Sequence, residues 1–156
     1  MKKIKQILVL LFLLLSTAIG YAQNDQDYVV EKPTVTIEHL YKNITCSNQK
    51  KFLEEQGFKY DRMLKIEQTN AYIYSLEDDN DVSIFLYCYK NEALHMSFNM
   101  AEDVFTEAKN TTIKDKQFKK IKQTSEDTIF TKGAYTYIFS NKDHSIGIRV
   151  KTRDDN

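Results

Sequence analysis

The side chains of this chain that could carry catalytic chemistry are three histidines, two cysteines and scattered carboxylates. A serine or cysteine nucleophile needs a neighbouring base, and the histidines available are His39, His95 and His144. No G-x-S-x-G sequence occurs, and neither cysteine stands in the local sequence of a thiol enzyme. We interpret His95 and His144 as ordinary surface histidines, because polar side chains are mostly exposed. The sequence therefore predicts no catalytic residue and a protein that is not an enzyme.

Metal and cofactor sites need characteristic spacings, which this sequence lacks. Neither H-x-x-x-H nor C-x-x-C, the clustered pairs that zinc requires, is present. The acidic stretch 77–81 could offer oxygen ligands to calcium, but it lacks the glycine of a calcium loop and Tyr89 stands where the final glutamate belongs. Asp and Asn are favoured in turns, so a solvated hairpin turn is the better interpretation. We expect no metal ion, no cofactor and no phosphate-binding loop.

The two cysteines, Cys46 and Cys88, have two interpretations. In an oxidising compartment an even pair can form a disulfide. Alternatively, both are buried thiols that act as small apolar side chains. The sequence leaves both open, because it does not show whether the Cα atoms approach within the ~7 Å that a bridge requires.

Tyrosines are the feature that most favours a binding function. Six of them form three pairs, each two residues apart in a predicted strand and therefore on one face: Tyr72 with Tyr74, Tyr87 with Tyr89, and Tyr135 with Tyr137. If exposed, these rings would form a binding surface for protein or carbohydrate, since tyrosine offers a large contact area at low entropic cost. The alternative is that the rings are half-buried beneath helices.

A basic run, in which the lysines are Lys114, Lys116, Lys119, Lys120 and Lys122, alternates with apolar residues. We interpret it as a helix end that leads into an edge strand, where lysine discourages pairing with other strands. An anionic partner such as a glycan or lipid head group is the alternative.

Residues 1–22 have the three parts of a secretory signal peptide. Three lysines precede an uncharged apolar run from Ile7 to Leu15, and small residues follow it. The sequence predicts cleavage between Ala22 and Gln23, and the short, lysine-rich signal is typical of bacteria. The apolar run is shorter than the ~20 residues that span a bilayer, so we expect no stable membrane span after cleavage. The mature protein is expected to be periplasmic or extracellular.

Charge limits the partners of the mature chain. The whole sequence has 22 basic and 22 acidic side chains, and removing three signal lysines leaves 19 basic ones. This mild acidity argues against nucleic acid, which requires a basic surface. Another protein or a component of the cell envelope is the expected partner.

Hydrophobic periodicity predicts the elements that would position these residues. After a flexible segment at 23–33, apolar residues with helical spacing follow Thr36, and a second helix is predicted from Ser47 to Gln56, closed by Gly57. Alternation between residues 62 and 100 predicts a four-stranded antiparallel meander. A further helix follows Ala101, and alternation returns between residues 118 and 151.

The two halves show the same order of elements. Gly57-Phe58-Lys59 follows a helix and opens a strand series, and Gln117-Phe118-Lys119 does the same. We predict one α+β domain over residues 34–156, an antiparallel β-sheet meander covered on one face by two or three helices, with an α-β4 unit duplicated over 34–100 and 101–156. In element order this layout resembles the beta-lactamase-inhibitor-like fold, in which tandem units build one continuous curved surface.

From these patterns the leading hypothesis is an exported, non-enzymatic module that binds another macromolecule, as an inhibitor or immunity-type protein. One alternative is a carboxylate-dependent hydrolase that uses residues such as Glu67 and Asp81. Another is a carrier of a small ligand, with a pocket between helices and sheet. Paired carboxylates in a cleft would favour the first alternative, and a large apolar cavity would favour the second.

Overall fold

The computed structural model describes residues 33–76, 79–90 and 92–155. The predicted signal peptide, its cleavage site at Ala22–Gln23 and nearly all of the lead-in segment 23–33 lie outside these residues. The described chain is a mixed α+β structure with three helices: α1 (Pro33–Asn43), α2 (Gln49–Glu55) and α3 (Glu102–Lys114). A short 3-10 helix, Arg153–Asp155, follows the last strand. None of the helices in the described part of the chain is both long enough and apolar enough to span a membrane.

Eight strands form one antiparallel sheet in the order β1-β2-β3-β4-β8-β7-β6-β5. Their bounds are β1 Phe58–Ile66, β2 Thr69–Leu76, β3 Asp79–Tyr89, β4 Glu92–Asn99, β5 Lys119–Gln123, β6 Asp127–Lys132, β7 Tyr135–Ser140 and β8 Ser145–Val150. Each run of four consecutive strands is a meander, and the two meanders join where β4 pairs with β8. The predicted α+β class and antiparallel meander are confirmed.

Turns and element ends follow the local sequence with a few differences. Gly57, just after α2, has a φ of 84°, the left-handed conformation that glycine adopts without a steric penalty. Glu67 and Lys90 have positive φ in the tight turns after β1 and β3, where hairpin geometry requires it. The first helix begins at Pro33 and not after Thr36, and β1 begins at Phe58, earlier than the alternation indicated.

One buried cluster combines the helices with alternate strand residues. From the helical part it contains Ile37, Leu40, Leu53, Phe105 and Ala108, all at most 4% exposed. From the central strands it contains Ile84, Leu86, Met96, Ile146 and Ile148, none of them accessible to solvent. The cluster extends across the β4–β8 junction, so both meanders share one core.

Cys46 and Cys88 form a disulfide, with their Cα atoms 6.0 Å apart. Cys46 lies between α1 and α2, and Cys88 lies near the end of β3. The bond thus ties the connection between the first two helices to the sheet. The disulfide interpretation of the two cysteines is confirmed.

The first strands of the two meanders share an irregularity at matching positions. In β1 the register shifts at Asp61, three residues after Phe58. In β5 it shifts at Ile121, three residues after Phe118. These phenylalanines are the two that the sequence comparison of the halves placed in equivalent positions.

Registers on both sides of the β4–β8 junction also correspond. One row of paired residues crosses the first meander through Tyr60, Tyr74, Ile84 and Phe98. An equivalent row crosses the second through Lys120, Phe130, Tyr137 and Ile148. Phe98 is opposite Ile146 and Ile148 is opposite Met96, so the rows meet symmetrically about the pair Ser97–Gly147.

Candidate binding face of the sheet

Side chains that alternate with the core residues belong to the other face of the sheet, which we call the distal face. At the centre of the sheet the distal face carries Phe85, Tyr87, His95, Ser97 and Gly147. Phe85, Tyr87 and His95 are partly exposed, and none of these five residues belongs to the buried cluster. Two aromatic rings and an imidazole are therefore accessible beside the junction of the two meanders.

The imidazole of His95 is held in place by two neighbours. Tyr87 lies opposite His95 on the adjacent strand, and the two rings meet edge to face with their centroids 5.5 Å apart. On the other side the ring lies against Gly147: a Cβ added there would be 2.6 Å from Cε1 of His95 and 2.9 Å from Nε2. Since real Cβ atoms do not approach so closely, the absence of a side chain at Gly147 makes room for the imidazole.

Burial keeps His95 neutral. The loss of solvent around the ring, together with the nearby positive charge of Arg149, lowers the pKa of His95 from 6.5 to about 4. At neutral pH the imidazole therefore has one donor and one acceptor nitrogen. His95 lies on the face away from the core, as the alternation indicated, but its ring is only partly exposed and its pKa is lowered, because strand alternation indicates the face of a residue but not how its neighbours pack.

Replacing Gly147 with alanine is expected to lower the free energy of unfolding by about 1 kcal/mol, the low end of the cost of overpacking, because the atoms that must move are at the tip of the partly exposed His95 side chain. The added methyl group would occupy the position of the His95 ring and displace it. Urea titrations of the single variants and of Gly147→Ala combined with His95→Ala measure this coupling. In the His95→Ala background the cost of Gly147→Ala should largely disappear. An unchanged cost would contradict the contact.

Next to His95, the end of the chain folds onto strands β7 and β8. Asp155 accepts hydrogen bonds from both terminal nitrogens of Arg149, at 2.5 and 2.7 Å. It also accepts one from the Thr136 hydroxyl at 3.0 Å and one from the Thr152 backbone N–H at 2.8 Å. The hydrogen bonds from Arg149 hold the pKa of Asp155 well below its usual value. This clamp fixes the guanidinium at the edge of the His95 cluster. Sequence analysis missed it, because the bidentate pair depends on the turn that follows β8.

The six predicted binding-surface tyrosines do not form one surface. Tyr74 and Tyr137 have no solvent exposure. Tyr72 and Tyr135 are partly buried and pack against the core cluster, whereas Tyr87 and Tyr89 lie on the distal face and are partly exposed. The prediction that each pair shares a face holds, but burial removes Tyr74 and Tyr137 from any binding surface. Both rings belong to the buried cluster that also contains helical side chains, a long-range packing that the strand pattern does not encode.

Both buried hydroxyls have side-chain partners on the helices. Tyr74 donates to Oε1 of Gln49 on α2, and Tyr137 donates to Oε2 of Glu38 on α1 at 2.6 Å. Burial raises the pKa of both tyrosines, and for Tyr137 the Glu38 carboxylate adds to the effect. These hydroxyls stay protonated and attach the helices to the sheet.

Glu38 is the centre of a polar group that sequence analysis did not single out. Besides the Tyr137 hydroxyl, its carboxylate contacts Nζ of Lys42 at 2.5 Å and Nζ of Lys132 at 3.9 Å. Although burial opposes it, the hydrogen bonds from Lys42 and Tyr137 keep the pKa of Glu38 below its usual value. The carboxylate is thus ionised and paired. Only the i,i+4 spacing of Glu38 and Lys42 was visible in the sequence.

The carboxylates proposed for a hydrolase are far apart. Glu67 lies in the turn before β2, and Asp81 lies in β3 beside the other end of β2, between the partners of Leu76 and Ser75. The length of that strand, roughly 23 Å at 3.3 Å per residue, separates them, whereas paired catalytic carboxylates lie within about 10 Å. These two residues therefore cannot act on one bond together.

The described residues form neither a metal cluster nor the pocket expected of a carrier between helices and sheet at the depression that α3 lines. Within 33–76, 79–90 and 92–155 no group of three or more His, Cys, Asp or Glu side chains is placed to hold a metal ion. An open depression is lined by residues of α3 alone, including Glu102, Asp103 and Lys114. This depression lies along one helix. The pocket predicted for a carrier would lie between helices and sheet.

Comparison of the chain with protein-family models, curated proteins and solved structures gives no match. No matching solved structure supports the likeness in element order to the beta-lactamase-inhibitor-like fold.

Proposed function

We propose that this chain is an exported, non-enzymatic protein that binds another protein through the centre of its distal face. Its functional class would be that of an inhibitor or immunity-type protein. The carrying observation is the accessible aromatic group Phe85, Tyr87 and His95, which lies beside the clamped guanidinium of Arg149. Tyrosine and arginine are the residue types most enriched where binding energy concentrates.

The rigidity of this face favours binding. The imidazole of His95 lies between Tyr87 and Gly147, and Arg149 is fixed by Asp155. Side chains that are already ordered lose little entropy when a partner docks, so more of the contact energy appears as affinity. A surface built on strands is also more precisely positioned than one built on loops.

We further propose that the three helices cover one face of the sheet and leave the distal face to the partner. The composition of the buried cluster supports this arrangement. In the central strands every second residue belongs to the cluster, together with side chains of the helices, and the residues between them do not. The matching bulges in β1 and β5 and the symmetric registers at the β4–β8 junction support an internal duplication. Two units joined at that junction would present one continuous distal face.

Export is part of the proposal and has two supports. One is the signal-peptide pattern of residues 1–22. The other is the Cys46–Cys88 disulfide, which is characteristic of oxidising compartments outside the cytoplasm.

Affinity capture with the mature chain tests the binding function. Bait protein would be exposed to envelope and extracellular fractions of the producing cell and its neighbours, and captured proteins would be identified by mass spectrometry. We expect a specific protein partner whose recovery falls at least about tenfold with Tyr87→Ala, the effect of removing a strong contact residue. Recovery should be unchanged with Tyr135→Ala, a matched control on the opposite face.

The folding of both variants would be checked by circular dichroism before capture. Recovery of no protein partner under gentle conditions would count against the binding function. Equal loss of the partner with both variants, or with neither, would overturn the assignment of the distal face.

A further inference from the structure

One row of opposite residues crosses all eight strands on the distal face and has the same chemistry in both halves. From the β1 edge to the centre of the sheet its members are Arg62, Ile73, Phe85 and Ser97. From the β5 edge to the centre they are Lys122, Ile129, Ile138 and Gly147. Ser97 and Gly147 pair at the β4–β8 junction. Each half therefore begins with a cation, continues with two apolar side chains and ends with a small residue.

The bulge in β1 places two cations of this strand on the distal face. In a regular strand, residues three apart point to opposite faces. Lys59 and Arg62 are three apart, but the bulge adds one residue between them. Their partners on the regular strand β2, Ser75 and Ile73, are two apart and share the distal face. Both cations therefore lie on the distal face, at the edge of the sheet.

The other edge strand, β5, repeats this arrangement. Lys119 and Lys122 are also three apart, with the bulge of β5 between them. Their partners on β6, Thr131 and Ile129, are two apart and share the distal face. Bulges commonly redirect side chains at the edges of sheets. The two matching bulges thus give each edge of the distal face a pair of cations.

These four residues, which we call the edge cations, are exposed to solvent: Lys59, Arg62, Lys119 and Lys122. The three lysines form no ion pair within the residues that the structure describes. Arg62, with 64% of its side chain exposed, contacts its neighbour Asp61 at 3.6 Å, and such exposed pairs are weak. Among residues paired across strands, the carboxylates Asp127 and Glu92 share the distal face. The edges of this face are therefore positively charged, although the mature chain is mildly acidic.

The length of the row fits the size of an ordinary protein interface. Its ends are separated by the width of an eight-stranded sheet, which is roughly 34 Å at about 4.8 Å per neighbouring strand. An interface that buries about 800 Å² on each partner is roughly 32 Å across if it is circular. A protein that covers Tyr87 and His95 at the centre therefore meets the edge cations at its rim.

We propose that the protein that binds the distal face presents to it a surface that is apolar in the middle and acidic on both sides. Its carboxylates would pair with the edge cations of β1 and β5, and its apolar middle would cover the apolar side chains of the row. This proposal rests on the proposed function of the distal face and adds the chemistry of the partner.

The apolar part of the row favours a protein over other anionic partners. A nucleic acid carries a phosphate at every nucleotide and is bound through many cations along its length. On the distal face the edge cations are instead separated by Ile73 and Phe85 on one side and by Ile129 and Ile138 on the other. A protein surface can combine an apolar middle with a charged rim.

Charge reversal at both edges tests the proposal in the affinity capture described above. Arg62→Glu combined with Lys122→Glu, the edge variant, should lower recovery of the partner at least about tenfold, since each reversal turns an attraction at the rim into a repulsion. Lys65→Glu combined with Lys120→Glu is the matched control. It changes the net charge equally on the same two strands, but both lysines lie opposite residues of the core side. Recovery with this control should change less than about twofold.

Immobilised poly-L-glutamate is a defined acidic probe that requires no identified partner. At low ionic strength, where charge attraction is least screened, the wild-type chain and the control variant should bind it. The edge variant should bind at least about tenfold more weakly, because its distal face has lost the cations that hold carboxylates. Circular dichroism would first confirm that both variants are folded.

The outcomes separate this proposal from the binding function itself. A partner whose recovery needs Tyr87 but is unchanged with the edge variant would overturn the acidic partner and leave the binding function in place. Poly-L-glutamate binding that is absent in the wild type, or weakened equally in both variants, would also overturn it. Recovery that is lost after nuclease or glycosidase treatment would assign the face to a nucleic acid or a glycan and overturn it. If no bait recovers a protein but only the edge variant loses poly-L-glutamate binding, the result would support acidic recognition and count against the binding function.

Discussion

Replacing both cysteines, as Cys46→Ser with Cys88→Ala, is expected to lower the free energy of unfolding by about 3–4 kcal/mol and the melting temperature by roughly 10 °C. The two residues are 42 positions apart, so the bond closes a long loop and removes many conformations from the unfolded chain. Alanine is chosen at position 88 because that side chain is only 4% exposed, and a serine hydroxyl there would lack solvent.

Thermal melts with and without reductant measure this effect. The wild-type protein should lose stability when reduced, whereas the double variant should melt at the same temperature in both conditions. The chain has no further cysteine, so the reductant has no other thiol target. A double variant as stable as the oxidised wild type would contradict the stabilising role of the bond.

Lowering the pH from 7 to 5 is expected to remove about 2 kcal/mol of stability through His95 alone. In the folded protein the pKa of His95 is about 4, chiefly because the ring is buried, whereas in the unfolded chain it has its ordinary value of 6.5. Between these values the unfolded state binds more protons than the folded state. The contribution of neutral His95 is therefore complete above pH 6.5 and decreases as the pH falls towards 4.

Urea unfolding of the wild type and of His95→Gln at both pH values isolates this effect. Glutamine does not titrate, so the variant should lose about 2 kcal/mol less than the wild type over the same interval. Asp155 and Glu38 have pKa values below their ordinary values, so their contributions are lost at lower pH than that of His95. Equal losses in the two proteins would show that His95 is solvated and that Gly147 does not enclose it.

The elements of the fold were predictable because their signals are local. In β3, Val82, Ile84, Leu86 and Cys88 alternate with partly exposed residues, as the sequence pattern indicates. Gly57 closes a helix in the left-handed conformation, and lysines 114–122 connect a helix end to an edge strand, as predicted. Each signal depends on a few residues that are neighbours in the sequence. An alternating strand buries its apolar side whatever its place in the sheet.

The candidate site was not predictable in the same way. How far a histidine on the polar side of a strand is solvated depends on its neighbours in space: the ring of His95 is partly buried because it lies against Gly147, about fifty positions along the chain, which lacks a side chain. The clamp of Asp155 on Arg149 depends on the turn after β8. The burial of Tyr74 and Tyr137 was not predictable for the same reason. Their hydroxyls donate hydrogen bonds to side chains of α2 and α1, which the strand pattern does not indicate.

Taken alone, the amino-acid order specifies which residues are extended, which are helical, and which side chains of each strand share a face. It does so because the periods of two and 3.6 residues are properties of the backbone. It does not specify that β4 pairs with β8, that Cys46 meets Cys88, or that the His95 ring lies against Gly147. Those contacts join residues more than forty positions apart, and they form only when the two meanders share one core whose burial offsets the entropy of bringing them together.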